Sequence, residues 1–170
     1  MTTLTGTAGN DTLVGSAGVN SLSGGAGNDT LIGGAGNNHM VGGSGADVLV
    51  AGAGSNELIG DNTASVQSTV GGAGNDAFVI SLKSLEAGGS DVIYDFGGAG
   101  GWSATNNDFI AFTGFSAGSG VTNIVDSTKV AGLAYYTIHD AATGDNFTVA
   151  IESTDGNHLA KSTGDFNFYS

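Results

Sequence analysis

The sequence contains no cysteine, no proline and no arginine, and these absences remove whole classes of structure and partner. Without cysteine the chain forms no disulfides and offers no thiolate ligands to zinc. Its basic side chains are Lys83, Lys129 and Lys161, against 16 acidic residues, which gives a net charge of -13. Because clustered Lys and Arg side chains bind a phosphate backbone, nucleic acid is excluded as an expected partner. The negative charge instead attracts cations.

Long apolar runs and a basic leader are also missing. No stretch of about 18 apolar residues occurs, so the sequence predicts no membrane span. The first residues, MTTLTGTAGND, lack the basic cluster and the apolar run of a cleavable secretory signal. Because the repeats begin at residue 6, we expect this chain to be the C-terminal part of a longer protein whose activity lies upstream.

Glycine is abundant, at 32 of the 170 residues, and it recurs in a nine-residue repeat. Six unbroken copies cover residues 6–59, an eleven-residue variant covers 60–70, and a last copy, GGAGNDAFV, ends at Val79. Position four is glycine and position eight is apolar in all seven regular copies. Six small or polar residues suit a turn, and the next three suit a short strand that must stack on further copies to bury its apolar side chain. Since each turn reverses the chain, two copies form an 18-residue coil with two facing parallel sheets.

These repeats resemble the RTX nonapeptide family, whose motif is GGxGxDxUx. The resemblance covers about residues 6–79. It implies an all-β fold, a parallel β-roll (right-handed β-solenoid), in which Ca²⁺ is held between successive coils. The ligands that it implies are carboxylates at position six and backbone carbonyls of the turn glycines, here Asp11, Asp29, Asp47, Gly25, Gly27, Gly43 and Gly45.

Position six alternates between Asp and Asn, and the alternation separates two edges of the predicted roll. The Asp edge carries Asp11, Asp29 and Asp47, and the Asn edge carries Asn20, Asn38 and Asn56. Residues one coil apart are stacked ~4.8 Å apart, a gap that Ca²⁺ with oxygen ligands at ~2.3–2.6 Å can bridge. Zinc is not expected, since His39 is the one histidine of the repeats. We predict calcium on the Asp edge and a hydrogen-bonded amide ladder, needing little or no metal, on the Asn edge.

The irregular copy and the last copy add two candidate ligands. When the copies are counted as half-coils, Asp61 falls on the Asp edge, where it completes a site above Asp47. By the same count Asp76 falls on the Asn edge next to Asn56, so that edge is expected to hold one ion near the end of the repeats.

A further acidic segment follows the repeats. The sequence SDVIYDF, followed by NDFIAF, is similar to the segment after the repeats in RTX secretion domains. Two interpretations of Asp91, Asp95 and Asp108 stay open: they bind a further ion, or they cap turns.

After Val79 the nine-residue register ends, which divides the chain into residues 1–79, the repeats, and residues 80–170. FVISLKSLEAGGSDVIYDF indicates a strand, a short helical turn and a strand, and β-rich runs continue at NDFIAF, LAYYTIHD, NFTVAIES and DFNFYS. Repeat arrays need a capping element, so we predict that residues 80–170 form a β-rich cap packed as one continuous domain with the repeats.

Position nine predicts an apolar stripe on the outside of the roll, and such a stripe needs a cover. On the sheet that follows the Asp turns its members are Val14, Ile32, Val50 and Val70, and on the other sheet they are Ser23, Val41, Ile59 and Val79. We expect the second half of the chain to provide the cover.

Catalytic motifs are not evident. His139 and Asp140 are adjacent but have no apparent nucleophile, and no GxxxxGK[ST] phosphate loop occurs. We therefore predict that the chain is not an enzyme.

Our functional prediction is a calcium-induced folding and secretion module of an exported bacterial protein, located outside the cell or on its surface. The last residues, GDFNFYS, resemble the uncleaved signal read by type I secretion machinery, although a terminal strand explains them equally well. One alternative is a carbohydrate-binding module, similar to those of mannuronan epimerases, with a neutral glycan as partner and Trp102 as a stacking residue. The other is a structural module of a surface layer or adhesin.

Overall fold

The computed structural model describes residues 1–61, 74–97, 108–129, 131–153, 157–159 and 165–170. Val70 and Trp102 lie outside these residues, so the predictions made for them are not addressed.

Two β-sheets pack against each other through one hydrophobic core cluster. Sheet A has the strand order β1 (Thr2–Thr5), β3 (Asn20–Ala26), β5 (Asn38–Ser44), β7 (Glu57–Asp61), β9 (Val92–Phe96), β13 (Asn146–Ser153), β12 (Leu133–His139) and β11 (Gly120–Asp126). Sheet B has the order β2 (Thr12–Val14), β4 (Thr30–Ile32), β6 (Val48–Val50), β8 (Ala77–Ser81), β10 (Phe109–Thr113) and β14 (Phe166–Tyr169). The strands of successive repeats alternate between the sheets, which confirms the predicted parallel β-roll.

The register confirms the 18-residue coil. Leu13 pairs with Leu31, and Leu31 pairs with Leu49, in parallel strands of sheet B. Asn20 pairs with Asn38 in the same way in sheet A. Position-six residues one coil apart are therefore direct neighbours, as the sequence predicted.

The core is a stack of position-eight side chains from both sheets. Each lies in a strand and points inward, and six of them are 0% exposed: Leu22, Leu31, Met40, Leu49, Leu58 and Phe78. Burying one such side chain contributes ~1.5–3 kcal/mol. The stack continues into the second half of the chain, since Ile93 pairs with Leu58 and Ile110 pairs with Phe78.

The strands on either side of the irregular copy lie in consecutive halves of the roll, and the position predicted for Asp76 was wrong for that reason. β7 of copy six lies in sheet A, and β8 of the last copy lies in sheet B, so these two copies are consecutive halves of the roll. The backbone N–H of Asp47 donates to Oδ1 of Asp76, 29 residues away, which is 18 plus the eleven residues of the variant. Asp76 therefore belongs to the Asp edge. Asp61 pairs with Gly43, 18 residues earlier, in the turn that precedes Asp47. It therefore lies on the predicted Asp edge, at position two of the repeat.

Residues 80–170 extend both sheets. The predicted strand, helical turn and strand are confirmed as β8, α1 (Leu82–Glu86) and β9. β13, β12 and β11 then add an antiparallel meander to sheet A, while β10 and β14 complete sheet B. The sequence analysis did not predict β11. Helix α1 has five residues, and the described part of the chain holds no helix long and apolar enough to cross a membrane.

The second half of the chain was expected to cover the outer apolar stripe, but it leaves the first residue of that stripe exposed. Val14 is 58% exposed, because the second half adds strands at the far end of each sheet. Val79 pairs with Val50 in sheet B, so its assignment to the other sheet was wrong, for the same reason as that of Asp76.

Candidate metal centre

Five aspartates form a hydrogen-bonded ladder along the edge of sheet B, here called the Asp ladder: Asp11, Asp29, Asp47, Asp76 and Asp108. At each step the backbone N–H of one Asp donates to Oδ1 of the Asp in the next coil, at 2.7–2.8 Å. One carboxylate oxygen of each accepting residue thus holds two adjacent coils in register. The accepting residues are Asp29, Asp47, Asp76 and Asp108. The second oxygen, Oδ2, takes no part in these bonds, and in Asp108 it accepts from the Gly97 N–H at 2.8 Å.

That second oxygen is buried without a hydrogen-bond donor at three steps. Among the described residues, Oδ2 of Asp29, Asp47 and Asp76 has no hydrogen-bond partner, and these residues are 0–1% exposed. A buried polar atom left without a partner costs ~1–3 kcal/mol, and more when it is charged. Burial also raises the pKa of Asp47, and the nearby charge of Asp29 adds to this, although the N–H bond from Asp29 acts against it.

A second acceptor faces this oxygen at the first two of the three steps. A methyl group placed on Gly24 would collide with both Asp29 Oδ2 and the carbonyl oxygen of Gly42 in the next coil. A methyl group placed on Gly42 would collide with Asp47 Oδ2 and with the carbonyl oxygen of Gly60. Two oxygen acceptors therefore flank one point at successive coils. A cation that takes oxygen ligands relieves such an arrangement.

The corresponding place on the other edge holds a donor. Asn20 Nδ2 donates to the carbonyl oxygen of Gly33, at 3.1 Å, and to Asn38 Oδ1, at 2.8 Å. Asn38 Nδ2 donates in turn to Asn56 Oδ1 at 2.9 Å. The predicted amide ladder is thus confirmed, and its N–H groups satisfy carbonyl oxygens without an ion. We call Asn20, Asn38, Asn56 and Asp91 the Asn ladder. Its last residue, Asp91, differs from the others, because its Oδ2 is buried without a hydrogen-bond partner among the described residues.

Asp91 ends the Asn ladder as an acceptor. Its Oδ1 accepts from Asn56 Nδ2 at 2.8 Å and from the Asn56 backbone N–H at 3.1 Å. Burial raises the pKa of Asp91 to about 6 against the lowering effect of these bonds. The structure therefore separates Asp91 from Asp95 and Asp108, with which the sequence analysis grouped it.

The four predicted glycine ligands line successive turns beside the Asp ladder. Gly25, Gly27, Gly43 and Gly45 have φ values of +111 to +129°, a region that side chains rarely adopt. A side chain at Gly43 would also collide with the carbonyl oxygen of Gly25, and one at Gly45 with that of Gly27. The turns consequently stack with carbonyl oxygens directed at the next coil.

Four buried carboxylates lie where the repeats meet the second half: Asp61, Asp76, Asp95 and Asp108, here called the Asp quartet. They are 0–6% exposed. Burial, and then the negative charges of neighbouring aspartates, raises the pKa of Asp76 to about 8 and that of Asp108 to about 7. The pKa of Asp95 is also raised to about 8, by burial and the charges of Asp61 and Asp76, although its oxygens accept from the N–H groups of Gly60 and Asp61.

Side chains alone do not form a complete metal cage. Within the described residues, no three His, Cys, Asp or Glu side chains are placed as a group that could hold an ion. An ion on the Asp ladder would thus share carboxylate and backbone carbonyl oxygens. Ca²⁺ accepts this mixture, together with water.

The second half contains a carboxylate with a structural role. Asp140 is 1% exposed, and it accepts hydrogen bonds from Ser116, Ser119 and Thr143 at 2.9–3.1 Å. These bonds, led by the Ser116 backbone N–H, lower the pKa of Asp140. His139 Nδ1 lies 3.1 Å from Asn146 Oδ1. Asp140 thus joins two loops.

Comparison with known proteins found one matching family model and similar solved structures. A family model for the RTX calcium-binding nonapeptide repeat (4 copies) matches residues 5–40 and 32–63. The chain is similar to the solution structure of the R2 subunit of a mannuronan C5-epimerase from Azotobacter vinelandii, at 21% identity over 92% of this chain and 91% of that chain, with a TM-score of 0.52. The R3 subunit aligns at 24% identity over 92% and 82%, with a TM-score of 0.36. At these identities the R2 match supports the shared fold. No curated protein sequence matches the chain.

The Asn ladder predicts the effect of introducing a charge. In Asn38→Asp, an oxygen replaces Nδ2, which donates to Gly36 O and Asn56 Oδ1 at 2.9 Å. We expect the free energy of unfolding in calcium, measured with urea, to fall by ~1–3 kcal/mol. Asn37→Asp is the control, because Asn37 is exposed and its Oδ1, which accepts from the Ser55 N–H, survives the change. Equal losses in both variants would contradict this account.

Proposed function

We propose that this chain, whose residues 5–63 carry RTX calcium-binding nonapeptide repeats, is a non-catalytic module that completes its fold only when Ca²⁺ binds along the Asp ladder. The observation that carries the proposal is the buried Oδ2 of Asp29, Asp47 and Asp76, which has no donor among the described residues. At the first two of these steps a backbone carbonyl oxygen of the next coil faces it. When bound, calcium supplies the positive charge that these oxygens lack.

The donor set favours calcium over other metals. Carboxylate and carbonyl oxygens are hard ligands, and the chain contains no thiol. Mg²⁺ keeps much of its water and demands a compact octahedral shell, so it suits a cage of stacked backbone carbonyls less well. We assign Asp29, Asp47 and Asp76 as carboxylate ligands, and Gly25, Gly27, Gly43 and Gly45 as the source of carbonyl oxygens.

The Asp quartet is the second proposed calcium position. Asp61, Asp76, Asp95 and Asp108 bring up to four negative charges into the interior. Burial, and then the charges of neighbouring aspartates, raises the pKa of Asp76, Asp95 and Asp108. Such a cluster is stabilised by bound protons or by a bound cation. Because no three described side chains are placed as a group that could hold an ion, a cation here would also need backbone carbonyl or water oxygens. Since β7, β8, β9 and β10 all contribute, an ion here would join the repeats to the second half of the chain.

The proposal of export rests on the difference in calcium concentration between the cytosol and the outside of the cell. Oxygen sites of extracellular modules have dissociation constants of about 10⁻⁴ to 10⁻³ M. With sites of this affinity, the chain would stay incompletely folded in the cytosol and fold outside the cell by mass action. We therefore propose an exported protein and type I secretion machinery as its partner. The last strand, β14, includes the aromatic residues that resemble the secretion signal. A glycan or cell-surface partner remains a separate prediction.

The first test is folding on calcium addition. In a chelator, the repeats should lose part of their β-structure, because carboxylates stacked one coil apart repel one another. Circular dichroism should then show a cooperative gain of β signal as calcium is added, and the same concentration of Mg²⁺ should produce a much smaller gain. A chelated protein with the full β signal, or an equal response to both ions, would overturn the proposal.

The second test is the sign of the pH dependence. The pKa of Asp76 and Asp95 is about 8 in the fold against a usual 3.8. Without metal, these groups stabilise the folded state fully below about pH 4, and this contribution is lost as pH rises through about 8. Chelated protein should therefore gain β signal from pH 8 to pH 5. In contrast, the calcium midpoint should rise over the same range, because protons compete with the ion.

Two variants separate this effect from general charge. Asp95→Asn should reduce the gain of β signal in chelator, since it removes one of the titrating groups. Glu86→Gln removes the same charge from an exposed position on α1 and should leave the gain unchanged. Loss of β signal on acidification of the chelated wild type would contradict the assignment.

A further inference from the structure

The first coil satisfies its aspartate differently from the coils above it. Asp11 Oδ2 accepts the backbone N–H of Thr7 at 2.6 Å and the Thr7 hydroxyl at 2.8 Å. These are two donors to the atom that, in Asp29 and Asp47, is buried without any donor among the described residues. A carbonyl oxygen, that of Gly24, lies beside Asp11 Oδ2 as in the coils above, but here Oδ2 already has two hydrogen-bond donors from the protein.

The difference originates at position two of the repeat. The equivalent residues of the next two coils on this edge are Gly25 and Gly43, with φ of +112° and +116°. Thr7 is not among the residues with positive φ, Asp95 being the one non-glycine residue of that kind in the described chain. A β-branched side chain disfavours that conformation. Thr7 consequently turns its N–H and its hydroxyl toward Asp11.

Neighbouring hydrogen bonds hold this turn in place. The Thr7 hydroxyl oxygen accepts from the Gly9 N–H at 3.2 Å, and the Thr7 carbonyl oxygen accepts from the Ala26 N–H at 3.1 Å. The contact between Thr7 and Asp11 is thus supported from its own turn and from the second coil.

The other edge of the first coil repeats the arrangement. Ser16 is at position two there, and its N–H and hydroxyl lie 3.2 and 3.0 Å from Asn20 Oδ1, to which both donate. A hydroxyl residue at position two thus closes both ladders at the same end of the roll. On the Asn side no carboxylate is involved, which makes Ser16 a matched control for Thr7.

We propose that Thr7 excludes calcium from the first coil: its N–H and hydroxyl saturate Asp11 Oδ2, so that Asp11 closes the Asp ladder by hydrogen bonds and the ion sites begin with Asp29. This rests on the proposed calcium binding of the Asp ladder and defines which of its aspartates take part. It replaces the sequence-based expectation that Asp11 is a ligand.

The test is the number of calcium ions bound by the full-length chain, measured by native mass spectrometry and by equilibrium dialysis. Thr7→Gly should bind about one more ion than the wild type, because glycine allows the positive φ of Gly25 and removes the hydroxyl donor. Ser16→Gly should bind the wild-type number. A wild-type count in Thr7→Gly would overturn the proposal.

A second pair of variants tests the same claim without changing position two. Asp11→Asn should keep the wild-type ion count and calcium midpoint, because its oxygen can still accept from Thr7. Asp29→Asn should bind fewer ions and shift the midpoint of folding. Loss of an ion in Asp11→Asn would overturn the role of Thr7 while leaving calcium binding intact. A wild-type chain that binds no calcium would instead remove the proposed function and this inference together.

Discussion

Two oxygen acceptors without a hydrogen between them meet at successive steps of the Asp ladder, and the rest of the roll depends on how that conflict is relieved. The conflict and the core have one origin. Each strand is too short to bury its leucine alone, so coils stack at the spacing of a β-sheet, ~4.8 Å. That stacking buries Leu31 and Leu49 completely, and it also presses Asp29 Oδ2 toward the carbonyl oxygen of Gly42. The same stacking that forms the core therefore also brings together the two oxygen acceptors between which we propose a cation.

The repeat resolves the same conflict in three ways, and two positions select among them. With Asn at position six, an amide N–H bonds the carbonyl oxygen, as Asn20 does with Gly33. With Asp at position six and Thr at position two, a hydroxyl and an N–H saturate the carboxylate, as in Asp11. With Asp and Gly, no donor remains among the described residues, and this is where we propose a cation. Except at Asp91, whose Oδ2 is buried without a partner, the Asn edge satisfies its own acceptors, while on the other edge we propose that completion of the fold depends on metal.

Much of this arrangement could be predicted from the sequence, because the repeat imposes it locally. The apolar residue at position eight predicts the core. The alternation of Asp and Asn at position six, as in Asp29 and Asn38, predicts two distinct edges. The eleven-residue variant misled the count for Asp76 and Val79, because it was counted as a half-coil, whereas the strands on either side of it lie in consecutive halves of the roll. β11 was missed because its burial is slight. The role of Thr7 depends on a donor's direction, which follows from φ and not from residue type alone.

The most direct measurement is a crystal structure of the calcium-loaded chain, with the ions located by their anomalous scattering. The account predicts ions beside Oδ2 of Asp29, Asp47 and Asp76, each with backbone carbonyl oxygens in its shell, and none among Asn20, Asn38 and Asn56. Ions distributed equally over both edges, or an Asp ladder that stays empty at millimolar calcium, would contradict it.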